Sequence, residues 1–257
     1  MCRVGMLTDA RIPGILTRRP ERVHVTIAIG IICKAPEPGL SKTRLAASIG
    51  AQAAAELSAC FLRDLAATIG SVPSRLGSRG VAVYAPAGGE ALLRPLLPPT
   101  FDFLLQTGRD LGAVLLGATE ALLEKDHQCV LLVNGDSPTL PVRLIMQAIE
   151  ALRGSGDCIV LGPASDGGYY LIGLKRPHAR LFEGVNWGTA SVFAETRARA
   201  EEIGLPVALL PEWYDVDDEE TLRWLRQELA GRSARFADGA PAPRTRAYLA
   251  KSPELAR

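Results

Sequence analysis

Apolar residues follow two rhythms along this chain. Short dense runs, rich in Val, Ile and Leu, alternate with longer stretches in which apolar positions recur every three or four residues. The dense runs are Val25–Cys33, Val81–Tyr84, Phe103–Gln106, Cys129–Val133, Cys158–Leu161, Tyr169–Leu174 and Val207–Leu210. They read as strands, buried on both faces where the run is unbroken. The stretches 42–69, Ala91–Leu97, Leu111–Glu124, Leu140–Leu152, Ser191–Ile203 and Glu219–Leu229 read as helices. In the first of these, Leu45, Ile49, Ala53, Leu57, Phe61, Leu65 and Ile69 share one face. Pro141 is acceptable in the opening turn of its helix.

Repeated strand–helix–strand units predict an α/β fold of three layers: a mostly parallel central sheet with helices on both faces. Nothing repeats at a fixed period, which excludes a solenoid. No Pro/Gly linker divides residues 25–230, so one domain is expected there. Residues 1–24, with Pro13 and Pro20 and no sustained period, read as a flexible leader. Residues 231–257 read as a flexible basic tail.

In such a sheet, ligands bind beyond the carboxyl ends of the strands. Four polar loops occupy those positions: Lys34–Arg44, Asn134–Thr139, Ser165–Gly168 and Asp215–Asp218. Their convergence on one edge is the main functional signal.

Charge narrows the partners. The chain carries a formal +1, but its ends are basic and its body is acidic. With aromatics at only 5%, this surface fits no nucleic acid. The five cysteines are odd in number and form no CxxC pair. They exclude a disulfide scaffold and a zinc site, and they suit a reducing, cytoplasmic setting. No apolar run approaches the ~18 residues of a membrane span. Val25–Cys33 follows arginines much as a signal peptide would, but Lys34 stops it and no small-residue cleavage site follows.

The first loop reads KAPEPGLSKTRL and places Lys34, Lys42 and Arg44 around the turn at Gly39. Ser41 is the expected N-cap, with Lys42, Thr43 and Arg44 in the first helical turn. Cations there oppose the helix dipole, a small cost that makes sense where an anion binds, so the loop reads as a phosphate cradle. The alternative is an ordinary surface turn. The loop is neither a Walker A motif nor a dinucleotide fingerprint, because both spacings are absent.

Asp136 follows the CVLLV strand, with Gly135 before it to admit a ligand to the backbone and Pro138 after it to stiffen the turn. A carboxylate at a strand end suits a hard cation; capping the turn is the alternative. In YDVDDEETL, the residues Asp218, Glu219 and Glu220 serve the positive end of a helix. That duty leaves Asp217 as the second expected ligand of Mg²⁺ or Mn²⁺. Asp166, beside Gly167 and Gly168, either receives a polar substrate or makes a tight turn. Trp187 is either a pocket wall or a core aromatic. The three histidines have no ligand spacing, and Ser137 and Ser165 lack a nucleophile elbow.

The ordered set KAPEPGLSKTRL, GRDLG, NGDSPTLP, PASDGGYYLIGL, FEGVNWGT and DVDDEETL resembles the DUF2064 family of GT-A-type proteins across about residues 27–230. The resemblance implies a nucleotide-diphospho-sugar transferase-like domain, similar to glycosyltransferases of the GT-A fold and to guanylyltransferases of cofactor biosynthesis. Lys34, Lys42 and Arg44 match the family's basic loop. Asp136 matches its aspartate after the central strand, and Asp217 its aspartate near the end. The usual threonine of that last segment is Asp218 here, and its usual final aspartate is Thr221. The activity implied first is metal-dependent glycosyl transfer from a nucleoside diphosphate-sugar to a small-molecule acceptor. The second is nucleotidyl transfer from a nucleoside triphosphate to a phosphorylated small molecule; the third is nucleotide binding without catalysis. In either transfer Lys42, Asp136 and Asp217 are the expected catalytic residues.

Overall fold

The computed structural model describes residues 26–252. Seven strands form one sheet: β1 (Ile27–Lys34), β2 (Ser78–Ala85), β3 (Asp102–Leu105), β4 (Cys129–Asn134), β5 (Ile159–Pro163), β6 (Tyr169–Leu174) and β7 (Val207–Leu209). Their order is β3-β2-β1-β4-β6-β5-β7. Only β6 runs against its neighbours, β4 and β5, and every other pairing is parallel. The sheet is therefore mostly parallel, as the alternating pattern predicts.

Side chains of each strand alternate between two cores. Ile27, Ile29 and Ile31 of β1 and Leu131 and Val133 of β4 face one helical layer. That layer is α1 (Thr43–Ile49), α2 (Ala51–Gly70), α5 (Val142–Arg153), α7 (Glu219–Leu229) and α8 (Pro243–Lys251), joined by the short α3 (Glu90–Leu93). Ala28, Val130 and Leu132 face the other layer, built on α4 (Leu111–Leu123) and α6 (Val192–Glu202). The three-layer expectation holds.

Three local expectations do not. The stretch 42–69 is two helices, because Gly50 takes a positive φ of 84° that ends α1 and starts α2. Ser41 does not cap α1. Its hydroxyl donates to the Glu37 carbonyl at 3.1 Å, and Lys42 occupies the cap position in left-handed backbone, φ 53° and ψ 46°. The segment after residue 230 is not a loose tail as far as it is described. Phe236 is buried against Trp213, Tyr214 and Trp224. Helix α8 then docks on α2, where Asp64 accepts from the backbone N–H groups of Arg244 (3.0 Å) and Thr245 (2.8 Å). The expected leader 1–24 lies outside the described residues.

Candidate active site

The four loops singled out above meet at the carboxyl edge of the sheet. Strand β1 ends at Lys34, and β4, in register beside it, ends at Asn134. Because β6 is antiparallel to β4, the turn that precedes it (165–168) reaches the same edge. The segment after β7 returns there too, where Val216 N–H donates to the Asp136 carbonyl at 2.9 Å.

Two adjoining chambers occupy this edge. One, of about 310 Å³, is lined by Lys34, Ser41, Lys42, Arg44, Asp136 and Asp217 among others. The second, of about 230 Å³, is lined by Asp166, Gly168, Tyr170, Trp187, Thr189 and Asp215 among others. Ile32, Arg44, Leu111 and Asn134 wall both, so the two form one cleft.

Lys42 dominates the first chamber. Its Nζ lies 2.8 Å from an Asp136 oxygen, 2.8 Å from an Asp217 oxygen and 2.6 Å from the Val216 carbonyl. The side chain is only 4% exposed, and the Phe61 ring lies beneath the ammonium, 5.8 Å to its centroid. Burial by itself would lower the Lys42 pKa; Asp136 and Asp217 outweigh it, and the net shift is upward. The lysine is therefore held as a cation. Its left-handed backbone is costly for a residue with a side chain, a strain typical of functional positions. Arg44 reaches Asp217 from outside at 2.7 Å with its side chain 69% exposed. Lys34 is exposed on the chamber wall. Gly39 is exposed at φ 79°, and it makes the turn that the loop requires.

Gly135 has a different use from the one expected. A Cβ there would come within 3.0 Å of the Ile32 carbonyl and 3.1 Å of the Leu62 side chain. The missing side chain lets the β4 loop close onto β1 rather than admitting a ligand. Asp218 is the N-cap of α7, as expected: it accepts from Thr221 N–H at 2.9 Å, while Thr221 Oγ1 accepts from the N–H groups of Asp217 and Asp218. The threonine and carboxylate exchanged relative to the family pattern still form one reciprocal cap.

In the second chamber both readings of Asp166 remain compatible with its geometry. Its carboxylate accepts from Gly168 N–H at 2.9 Å, making the tight turn, and it also lines the cavity. Gly167 is required twice over: φ is 88°, and a Cβ would lie 2.2 Å from the Ala190 carbonyl. Trp187 is both wall and core: it stacks on Phe182 and lies against Gly112, where a Cβ would approach its ring to 2.6 Å.

Sequence reasoning missed two supporting residues. Asp215, 7% exposed, accepts from Asn134 Nδ2 at 2.6 Å and from the Ser137 hydroxyl. It fastens the β4 loop to the segment that carries Asp217. Burial raises its pKa to about 7, with Asp217 and Asp136 adding repulsion against the Ser137 and Asn134 hydrogen bonds. Gln106 donates to the carbonyls of Cys33 (3.0 Å) and Val83 (2.8 Å), fixing the chamber floor. Both roles depend on partners distant in the chain, and no local motif marks them.

The donor set is compatible with a divalent cation. Two carboxylate oxygens and a carbonyl oxygen converge on one position, where the Lys42 ammonium stands in for a cation. Hard oxygen donors of this kind suit Mg²⁺ or Mn²⁺. Among the described residues no group of three or more His, Cys, Asp or Glu side chains forms a metal cage. A bound ion would need ligand oxygens or water to complete its shell.

The chain as a whole resembles known proteins. A family model described as "Uncharacterized protein conserved in bacteria (DUF2064)" matches residues 68–189. A solved structure from Desulfovibrio desulfuricans, provisionally described as a nucleotide-diphospho-sugar transferase, is 30% identical. The alignment covers 90% of this chain and 96% of that one, with a TM-score of 0.77. The chain belongs to the DUF2064 family. Its fold is the GT-A-like nucleotide-diphospho-sugar transferase fold. CMP:2-keto-3-deoxy-manno-octonic acid synthetase, solved with CTP, shares that fold at 11% identity, over 81% of this DUF2064 chain and 100% of its own, with a TM-score of 0.53. No curated protein matches the chain. Among the described residues, no helix is long and apolar enough to cross a membrane.

Proposed function

We propose that this DUF2064 protein is a nucleotide-dependent transferase that moves a nucleoside monophosphate from a nucleoside triphosphate onto a phosphorylated small molecule. The observation that carries the reading is the charged chamber: Lys42 buried between Asp136 and Asp217, with Arg44 and Lys34 beside it on an otherwise acidic body. A triphosphate is the ligand most in need of such cations. The adjoining chamber, walled by Trp187 and Tyr170 and sharing Arg44, offers the acceptor an apolar surface and one cation for its phosphate.

In this reaction an acceptor phosphate oxygen attacks the α-phosphorus, the bond to the bridging oxygen breaks, and pyrophosphate leaves with the electron pair. Lys42 and Lys34 would orient the β- and γ-phosphates and offset the charge gathering on pyrophosphate, while Arg44 on the shared wall would hold the acceptor phosphate. Asp136 and Asp217 would hold Mg²⁺ or Mn²⁺, which supplies neutralisation of phosphate charge when bound. The reading is supported by the fold, which a CTP-bound synthetase also uses. Glycosyl transfer, in the sense of the Desulfovibrio protein's description, is the competing reading and needs fewer cations, since its donor lacks the terminal, most highly charged phosphate of a triphosphate.

Four nucleoside triphosphates and the matching nucleoside diphosphate-glucoses, titrated calorimetrically with Mg²⁺ or Mn²⁺, separate the two. At least one triphosphate should bind about tenfold or more tightly than its diphosphate-glucose, roughly 1.4 kcal/mol. It should also release pyrophosphate with a panel of phosphorylated acceptors. Saturable consumption of a diphosphate-sugar without any triphosphate turnover would reverse the assignment.

A further inference from the structure

The ammonium of Lys42 has three donors, and three oxygens take them: one from Asp136, one from Asp217 and the carbonyl of Val216. It is thus saturated, enclosed and centred between the two carboxylates expected to hold a metal. A divalent cation held by these same oxygens, at roughly 2.0–2.1 Å, would lie close to an ammonium that is 2.8 Å from each of them. Repulsion between the two cations disfavours joint occupancy, so the arrival of one favours the departure of the other.

We propose that Lys42 is the resident cation of the Asp136–Asp217 pair, and that a divalent metal enters only when nucleotide phosphate draws the ammonium away. This rests on the reading that the charged chamber receives a nucleotide. The surroundings give the exchange a route. Lys34 and Arg44 are exposed at the mouth and meet an incoming polyphosphate first. The phosphate then offers Lys42 anionic oxygens in place of Asp136 and Asp217. A lysine side chain has the rotatable bonds to follow without backbone movement. The vacated carboxylates of Asp136 and Asp217 would repel one another and would then be free to hold a divalent cation brought with the phosphate. Metal and nucleotide therefore bind with positive coupling, and by linkage each raises the affinity of the other by the same factor. Metal alone binds weakly because it must displace an internal ion pair with nothing to receive the lysine.

The test uses the full chain and Mn²⁺ alone, with free Mn²⁺ followed by electron paramagnetic resonance. Lys42→Gln and Lys42→Met should each bind Mn²⁺ without nucleotide about tenfold or more tightly than the parent. Equal Mn²⁺ affinity in the parent and both folded variants overturns the proposal. Because removing Lys42 leaves two carboxylates facing each other, a second measurement needs no variant. In the parent, a salt-bridged Lys42 should give a slowly exchanging ¹⁵N ammonium resonance. Mn²⁺ alone at concentrations that saturate the variants should leave that resonance sharp, and Mn²⁺ added with the best-binding triphosphate should abolish it. Loss of the resonance with Mn²⁺ alone overturns the proposal. Neither arm requires turnover. A protein that shows this ordering with a diphosphate-sugar while consuming no triphosphate would refute nucleotidyl transfer and leave the ordering intact.

Discussion

Asp64 and Asp217 are both carboxylates held by two partners, yet the partners differ in kind. Asp64, 3% exposed on α2, accepts from two backbone N–H groups that open α8. Asp217 accepts from the ammonium of Lys42 and the guanidinium of Arg44. A backbone N–H at a helix start cannot leave without unwinding the helix or undocking it. A cation on a flexible stem can leave by rotating a few bonds. The first arrangement fastens an element, and the second keeps a place for something else. Hydrogen-bond count does not distinguish them; the mobility of the partner does, and Asp217, its side chain 25% exposed, is also the more open of the two.

The largest effect should come from breaking the fastening. Asp64→Ala removes both acceptors at the start of α8 and leaves a space beneath it. It should cost about 3 kcal/mol in urea unfolding and expose 231–252 to limited proteolysis. Unchanged stability and protease resistance would mean that α8 is held by its apolar side alone. Asp217→Asn should do the reverse. It keeps the size of the group and an acceptor for the enclosed Lys42, whose other two partners stay in place, and should cost about 1–2 kcal/mol, less than D64A. Calorimetry should show triphosphate affinity in the presence of Mn²⁺ falling by about 2 kcal/mol. If D217N unfolds as readily as D64A, the distinction between the two carboxylates fails.

A third carboxylate lies between these extremes. Glu228 on α7 accepts from Thr139 Oγ1 at 2.8 Å and from the Tyr214 hydroxyl, tying the β4 loop to the segment before Asp215. Among the described residues its other oxygen has no hydrogen-bond partner. Burial raises its pKa from 4.5 to about 7, against the pull of Tyr214, Thr139 and the Arg246 charge. Between those values the native protein holds a proton that the unfolded chain has released. Stability therefore falls as pH rises from about 4.5 to about 7, and the loss is complete above that. Glu228→Gln should remove this fall. Relative to the parent it should be about 1–2 kcal/mol more stable at pH 8 than at pH 5. A parallel pH dependence in both proteins would assign the loss to another group. The smallest effect belongs to the cap. Asp218→Ala should cost about 1 kcal/mol of stability and leave Mn²⁺ binding in the presence of triphosphate unchanged; a lost metal affinity would transfer the ligand role from Asp217 to Asp218.

Much of this was legible from local pattern. Strand β6 and helix α7 have the limits that periodicity predicts, since one is a pure apolar run and the other has a clear apolar stripe behind an acidic cap. The convergence of four loops followed from strand direction alone. What escaped was set by distant contacts. Helix α8 is too polar to announce itself, burying little beyond Thr245 and Leu249, and its anchor Asp64 lies far back on α2. Asp215 looked like one acid among five because Asn134 and Ser137, its partners, come from another loop. The left-handed cap at Lys42 rather than Ser41 coincides with the pairing of its side chain to Asp136 and Asp217, which local propensity cannot report.

The contact between Ala240 N–H and the Thr139 carbonyl, 2.7 Å, carries a consequence for biosynthesis. Residues 134–139, which include Asp136, leave the ribosome well before Ala240 has been made. Strands β1, β2 and β4 all precede Ala240 in the chain, so they emerge while the rear of that loop still lacks its last support. A nascent chain that has not yet reached Ala240 would hold the loop carrying Asp136 less firmly, and nucleotide competence would wait for that later segment to emerge.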